Sequence, residues 1–135
     1  MSFHHIVTIL LRCIFCCSVF ATGFTACKPK APAKLPSFYL LLLDSVTLFN
    51  TATIPQRKPI VLIYFRPNCK LCQQETAGLV KNMAVLTDVQ FYYISPMSLE
   101  KVKEFSNYYG LQHYKNITIS LDYQLAFYKY YKPNT

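Results

Sequence analysis

The sequence predicts an α/β fold, a central mixed sheet with helices on both faces in three α/β/α layers. Two adjoining patterns carry that expectation. Ile60-Val61-Leu62-Ile63-Tyr64-Phe65 is a continuous β-branched and aromatic run, the signature of a strand covered on both faces. Directly behind it, Leu71, Cys72, Ala77, Leu79, Val80, Met83, Ala84 and Leu86 recur at helical spacing, so that their side chains share one face.

The other elements follow in chain order. Ser37 to Phe49 reads as an apolar run, an Asp44-Ser45 turn and a second run from Val46, which suits a short β-hairpin. Pro67 and Asn68 end the strand at 60–65, and the helix behind them runs from Cys69 to about Leu86. Val89 to Ile94 is the next strand. Ser98 is placed to cap a helix through Tyr109, with Glu100 at the positive end of its dipole and Gly110 as its stop. Asn116 to Leu121 is a further strand by its Ile-Thr-Ile alternation, and Gln124 to Tyr131 is an aromatic segment whose type the pattern leaves open. Strands alternating with helices imply parallel neighbours joined by right-handed crossovers.

The chain has 135 residues, 53% of them hydrophobic, with 11 Tyr and 10 Phe. One core is the ceiling at this length, and the apolar content is enough to offset the entropy of ordering the chain. Formal charge is +8, from 14 Lys and Arg against 6 Asp and Glu. The basic residues are scattered singly, which points away from nucleic acid as a partner and toward solubility or attraction to anionic membrane.

The six cysteines divide by position. Cys13, Cys16 and Cys17 lie in an apolar N-terminal stretch, Cys27 ends it, and Cys69 and Cys72 stand alone in the globular part. About 14 apolar residues between Arg12 and Cys27 are fewer than the roughly 20 a spanning helix needs, so residues 1–26 read as a cleaved export signal. Counting through Arg12 gives about 21, and an uncleaved anchor is the alternative. Phe24-Thr25-Ala26-Cys27 resembles the lipobox of bacterial lipoproteins, with Phe24 where that motif prefers Leu. The resemblance implies cleavage before Cys27, a lipid on its thiol, and a domain facing outward from the membrane in the cell envelope. Residues 27–36 then form a tether, because the Lys and Pro residues of Lys28-Pro29-Lys30-Ala31-Pro32-Ala33-Lys34-Leu35-Pro36 favour extended, hydrated chain. Residues 37–135 remain as the folded domain.

Cys69-Lys70-Leu71-Cys72 sits where strand passes to helix. A sulfur at the first turn lies near unpaired backbone N–H groups and the positive end of the dipole, which favour thiolate. Arg66 and Lys70 are placed to push the same way. The second sulfur, one turn deeper, is positioned to attack a mixed disulfide formed by the first. Cys69 therefore reads as the attacking residue and Cys72 as the resolving one. Glu75 lies one turn beyond Cys72, where it either relays protons or is simply a solvated helix position.

With Phe65-Arg66-Pro67-Asn68-Cys69-Lys70-Leu71-Cys72-Gln73-Gln74-Glu75 behind the 60–65 strand, the chain resembles the thioredoxin-like redoxins, TlpA-like exported proteins in particular. That resemblance implies thiol-disulfide exchange with protein thiols or disulfides, or with an electron-donor redox protein, and no cofactor or metal. The chain departs from it in lacking a Trp before Cys69 and Gly-Pro between the pair. The family also sets a cis-proline loop against the CxxC, followed by a β-hairpin and a closing helix. Since the sequence stops at Lys132-Pro133-Asn134-Thr135, the expectation is a domain without that hairpin and helix.

Other readings of the pair are weaker. Tetrahedral zinc needs about four ligands, and His113 is the remaining candidate in the domain. Peroxiredoxin-like proteins carry a proline and a threonine at fixed spacing before the reactive cysteine, which Pro67-Asn68 does not supply. The principal rival is a non-catalytic thioredoxin-like lipoprotein, a binding or metal-delivery module whose CxxC is static or holds metal. The tyrosines read as packing residues, and His113 as structural or exposed.

Overall fold

A computed structural model describes residues 35–133. The predicted export segment 1–26, Cys27, most of the tether and Asn134-Thr135 lie outside the described residues. Among the described residues no helix is long and apolar enough to cross a membrane.

Five strands form one mixed sheet: β1 (Tyr39–Leu42), β2 (Leu48–Asn50), β3 (Ile60–Tyr64), β4 (Gln90–Ser95) and β5 (Ile117–Leu121), in the order β2-β1-β5-β4-β3. The last three run parallel, with Ile60 beside Gln90 and Phe91 beside Ile117. β1 is antiparallel to both β2 and β5. The predicted hairpin is the β1–β2 pair, and Asp44 closes its turn by accepting the Val46 and Thr47 backbone N–H groups at 3.0 and 2.9 Å.

Three α-helices complete the layers: α1 (Lys70–Lys81), α2 (Leu99–Tyr109) and α3 (Ala126–Tyr131). Alternation along the strands sends side chains to two cores. Phe91 and Tyr93 of β4 meet Phe65, Val102 and Phe105 beneath α1 and α2, whereas Ile94 faces Leu40 and Phe127 beneath α3. Ser98 holds the N-cap position of α2 but its side chain makes no capping hydrogen bond there, and Gly110 ends the helix in the left-handed region at φ 64°. The open segment near the C-terminus is helical over its last six residues.

Two expectations need correction. The first helix ends at Lys81, short of Leu86, because Asn82 turns its side-chain amide back onto the Gly78 carbonyl at 2.8 Å. Met83 to Val85 continue as a separate 3₁₀ turn, which keeps Met83 in the core. The 60–65 run is also less covered than its composition implies: β3 holds the sheet edge and is mostly half-buried. The strand covered on both faces is β4, where Phe91 to Ser95 are all buried between two neighbours. An apolar run reports what lies above and below a strand and is silent about what lies beside it.

Asp122, directly after β5, is fully buried. Its carboxylate accepts the Phe127 and Tyr128 backbone N–H groups at 3.2 and 2.9 Å and the Tyr64 hydroxyl at 3.4 Å. The same acid thus satisfies the open start of α3 and ties it to β3, where Tyr64 stacks on Phe127 at 5.3 Å. Burial first, and the Asp122 charge behind it, push the Tyr64 phenol well above the usual tyrosine pKa. Asp122→Ala strands these donors and is expected to destabilise the domain by about 2–3 kcal/mol, read as a lower urea midpoint with unchanged slope.

Candidate functional site

The site begins where β3 runs out. Phe65 is fully buried against Tyr93 and Phe105, at ring-centroid distances of 5.4 and 4.8 Å. It anchors the chain from below just as Arg66-Pro67-Asn68 lift it to the surface. A backbone bond from Cys69 N–H to the Arg66 carbonyl, 3.0 Å, closes the turn. From the other side the Gln73 amide reaches back to the Pro67 carbonyl at 2.7 Å. The loop carrying the first sulfur is therefore braced at both ends.

Cys69 is the N-cap of α1, in an extended conformation (φ −84°, ψ 116°). Its Sγ takes the place usually held by a Ser or Asp oxygen and accepts the Cys72 backbone N–H at 3.4 Å. Both cysteines are half-buried free thiols. Hydrogen bonds from the Cys72 thiol and then from the Cys72 backbone hold the Cys69 pKa below that of an ordinary thiol, with the Leu71 backbone adding to them. Cys72 moves the other way: burial pushes its thiol up first, and the hydrogen bond it gives to Cys69 adds to that. The hydrogen bonds favour the thiolate form at Cys69, and burial favours the thiol form at Cys72.

The remaining predicted residues occupy their expected places with altered parts. Arg66 contributes through its backbone, accepting from Cys69 and drawing the Cys72 pKa partly back down. Lys70 is exposed, and the depressed pKa of Cys69 stems from hydrogen bonds rather than from that ammonium. Glu75 is exposed on α1, and its carboxylate raises the pKa of both sulfurs. His113 lies apart from the thiols, lining a separate groove with Met83 and Lys115. Among the described residues no three His, Cys, Asp or Glu side chains converge as a ligand set. Gln73 was not singled out by the sequence: a Gln in the first turns of a helix looks solvated until the loop folds over it.

The opposed shifts fix a pH dependence. Below the ordinary thiol pKa, the opposed directions give Cys69 a larger thiolate fraction than Cys72. Iodoacetamide near pH 7 should therefore modify Cys69 well ahead of Cys72, as read by peptide mass mapping. The preference should shrink as pH rises and Cys72 ionises in turn.

An open groove of about 550 Å³ separates Pro67, Asn68 and Gln73 from the facing side of α2, and neither Cys69 nor Cys72 lines it.

No protein-family model matches the sequence, and no curated protein matches it. Solved structures do. A secreted Mycobacterium tuberculosis disulfide oxidoreductase homologous to E. coli DsbE is 26% identical over 71% of this chain and 69% of its own, with a TM-score of 0.59. M. tuberculosis DsbF, in mixed oxidised and reduced forms, is 23% identical over 73% of this chain and 70% of its own, with a TM-score of 0.60. A SCO1/SenC family lipoprotein from Bacillus anthracis is 25% identical over 75% of this chain and 64% of its own, with a TM-score of 0.59. A mixed sheet between two helical layers, with a cysteine pair opening the helix behind β3, is the arrangement expected from the sequence. By its fold this chain belongs to the thioredoxin-like superfamily.

Proposed function

We propose that this chain exchanges thiols and disulfides with exported proteins or with a redox partner, using Cys69 as the nucleophile and Cys72 as the resolving thiol. The observation that carries the reading is the opposed tuning of the two sulfurs. Cys69 caps a helix and accepts hydrogen bonds that favour thiolate, while Cys72 is buried enough to keep its proton. A pair held only for structure has no need of such a difference. The likeness to a disulfide oxidoreductase at 26% identity supports the same chemistry.

In the forward direction the Cys69 thiolate attacks one sulfur of a substrate disulfide, and the other sulfur leaves with the bonding pair and takes up a proton. Cys72 then loses its proton and attacks the Cys69 sulfur, releasing the substrate as a second thiol. The substrate disulfide gains two electrons and the protein ends as the Cys69–Cys72 disulfide. An external dithiol restores the reduced pair. Arg66, Pro67 and Lys70 shape the loop around the first sulfur, and Glu75 tempers both thiols by its charge.

The proposal includes export and anchoring, with a lipid on Cys27 and the tether 27–36 holding the domain at the outer side of a membrane. One neighbour is described as secreted and another as a lipoprotein. Insulin reduction by dithiothreitol tests the chemistry: the chain should accelerate it. A Cys69–Cys72 bond that survives millimolar dithiol would instead support a static binding module. Fractionation tests the anchor, since Cys27→Ser should move the protein from the membrane to the soluble fraction.

A further inference from the structure

We propose that the groove between the end of α1 and the loops leading into β4 and β5 seats the phosphate headgroups of an anionic lipid surface, so that the domain rests on the membrane by the end of its sheet opposite the cysteine pair. The inference goes beyond the exchange chemistry and rests, for its setting, on the membrane-anchored reading of residues 1–36.

The groove has a volume of about 620 Å³. β3, β4 and β5 run parallel, and Cys69 follows the end of β3. Lys81 closes α1, Thr87 stands three residues ahead of β4, and His113 to Asn116 lead directly into β5. All of these belong to the end where the parallel strands begin. The six residues of β4 put about 20 Å of sheet between that end and the thiols. The walls are pinned by the fold itself. The Asn116 amide donates to the Leu86 and Val89 carbonyls at 3.0 and 2.9 Å, and the Asn116 carbonyl accepts the Phe91 N–H at 2.8 Å. One residue thus holds the loop before β4 against the loop before β5, and the space they line is preformed.

Its chemistry suits an anion. Lys81 and Lys115 both line it, together with the Thr87 hydroxyl and the His113 ring, and no carboxylate does. Among the described residues neither lysine forms an ion pair, and the neighbouring acid, Asp88, already meets Lys58 at 3.2 Å. Met83 and Ala84 supply apolar lining, and the next residue, Val85, is 81% exposed on its 3₁₀ turn. An exposed valine beside two free lysines is suited to a bilayer surface, where the apolar group enters between headgroups and each cation is drawn to the negative surface potential. A soluble phosphate would satisfy the lysines and leave Val85 in water, which favours lipid as the occupant. A tether to the same membrane raises the effective concentration of that surface, so a weak contact suffices. Seated in this way, the domain turns Cys69 and Cys72 away from the lipid and toward incoming clients.

The test places the full lipid-anchored chain in vesicles of phosphatidylcholine alone or of phosphatidylcholine with phosphatidylglycerol. Flotation shows that the chain is on the lipid, and hydrogen exchange read by mass spectrometry follows the peptides over 80–88 and 110–117. Both peptides should exchange about 3- to 10-fold more slowly on the anionic vesicles than on the neutral ones. The difference should vanish in about 1 M salt, where screening acts within about 3 Å. Lys81→Gln with Lys115→Gln should abolish it. Lys129→Gln with Lys132→Gln, at exposed positions on and just after α3, removes the same charge and should preserve it. Equal exchange on both vesicles, with the chain afloat on each, would overturn the docking. Slowing by inorganic phosphate on neutral vesicles to the extent seen with anionic lipid would overturn it too, by making the groove a site for free phosphate. A chain that floats with neither vesicle would refute the anchored reading and the docking with it, and would leave the exchange chemistry standing.

Discussion

Cys69→Ser is expected to bring disulfide exchange down to the uncatalysed background, while Cys72→Ser halts the reaction one step later with the partner still attached. The difference follows from where each sulfur stands. Cys69 is the sulfur that caps α1 and accepts the Cys72 N–H. A serine oxygen there caps the helix well but has no accessible anion near neutral pH and forms no disulfide. The fold of Cys69→Ser should thus be intact while its chemistry is gone. In Cys72→Ser the first attack proceeds, and the missing second thiol leaves the mixed disulfide unresolved. Non-reducing gels should show a higher-mass adduct, cleared by dithiothreitol, with Cys72→Ser alone. Undiminished turnover in either variant would refute the assignment of roles.

The largest effect on stability is expected at Phe65. Its ring is fully buried and joins Tyr93 on the sheet to Phe105 on α2. Phe65→Ala leaves a ring-sized void that three elements would have to collapse to fill, at a cost of about 3–5 kcal/mol. That is a large share of the roughly 5–15 kcal/mol holding a domain of this kind together. The residue also precedes the Arg66-Pro67-Asn68 loop, so loosening it should blunt the selective alkylation of Cys69 before the domain unfolds. A urea titration and the alkylation ratio, measured on the same sample, check both effects. An Ala variant with a wild-type midpoint would show that this aromatic contact is not the anchor of the site.

The strand-to-helix junction was legible in the sequence because every local signal there agrees. An apolar run, a proline break and a cysteine followed by helical spacing all specify one geometry, and little else in the chain competes with it. Asp122 was not legible: a lone Asp after a strand looks like a turn residue in water. Its burial is set by Tyr64, 58 positions away, and by an α3 whose helicity the local pattern had left open. The edge position of β3 was hidden for a similar reason, since neighbours in a sheet are chosen by topology. The backbone N–H groups at the helix start that favour a Cys69 thiolate were readable from the strand-to-helix junction, whereas the hydrogen bond from the Cys72 thiol, the first cause of the shift, belongs to the folded site. The groove likewise joins residues 67–73 to 101–109, two segments that meet only once α1 and α2 have packed.

Under the proposed exchange, the raised pKa of Cys72 would act as a clock. The protein would be covalently fastened to its client between the first attack and the second, and the length of that interval would depend on how often the half-buried thiol sheds its proton. More acidic surroundings slow the escape, and alkaline ones hasten it. In that scheme the partial burial that makes Cys72 a poor first nucleophile would also set how long each client stays captive.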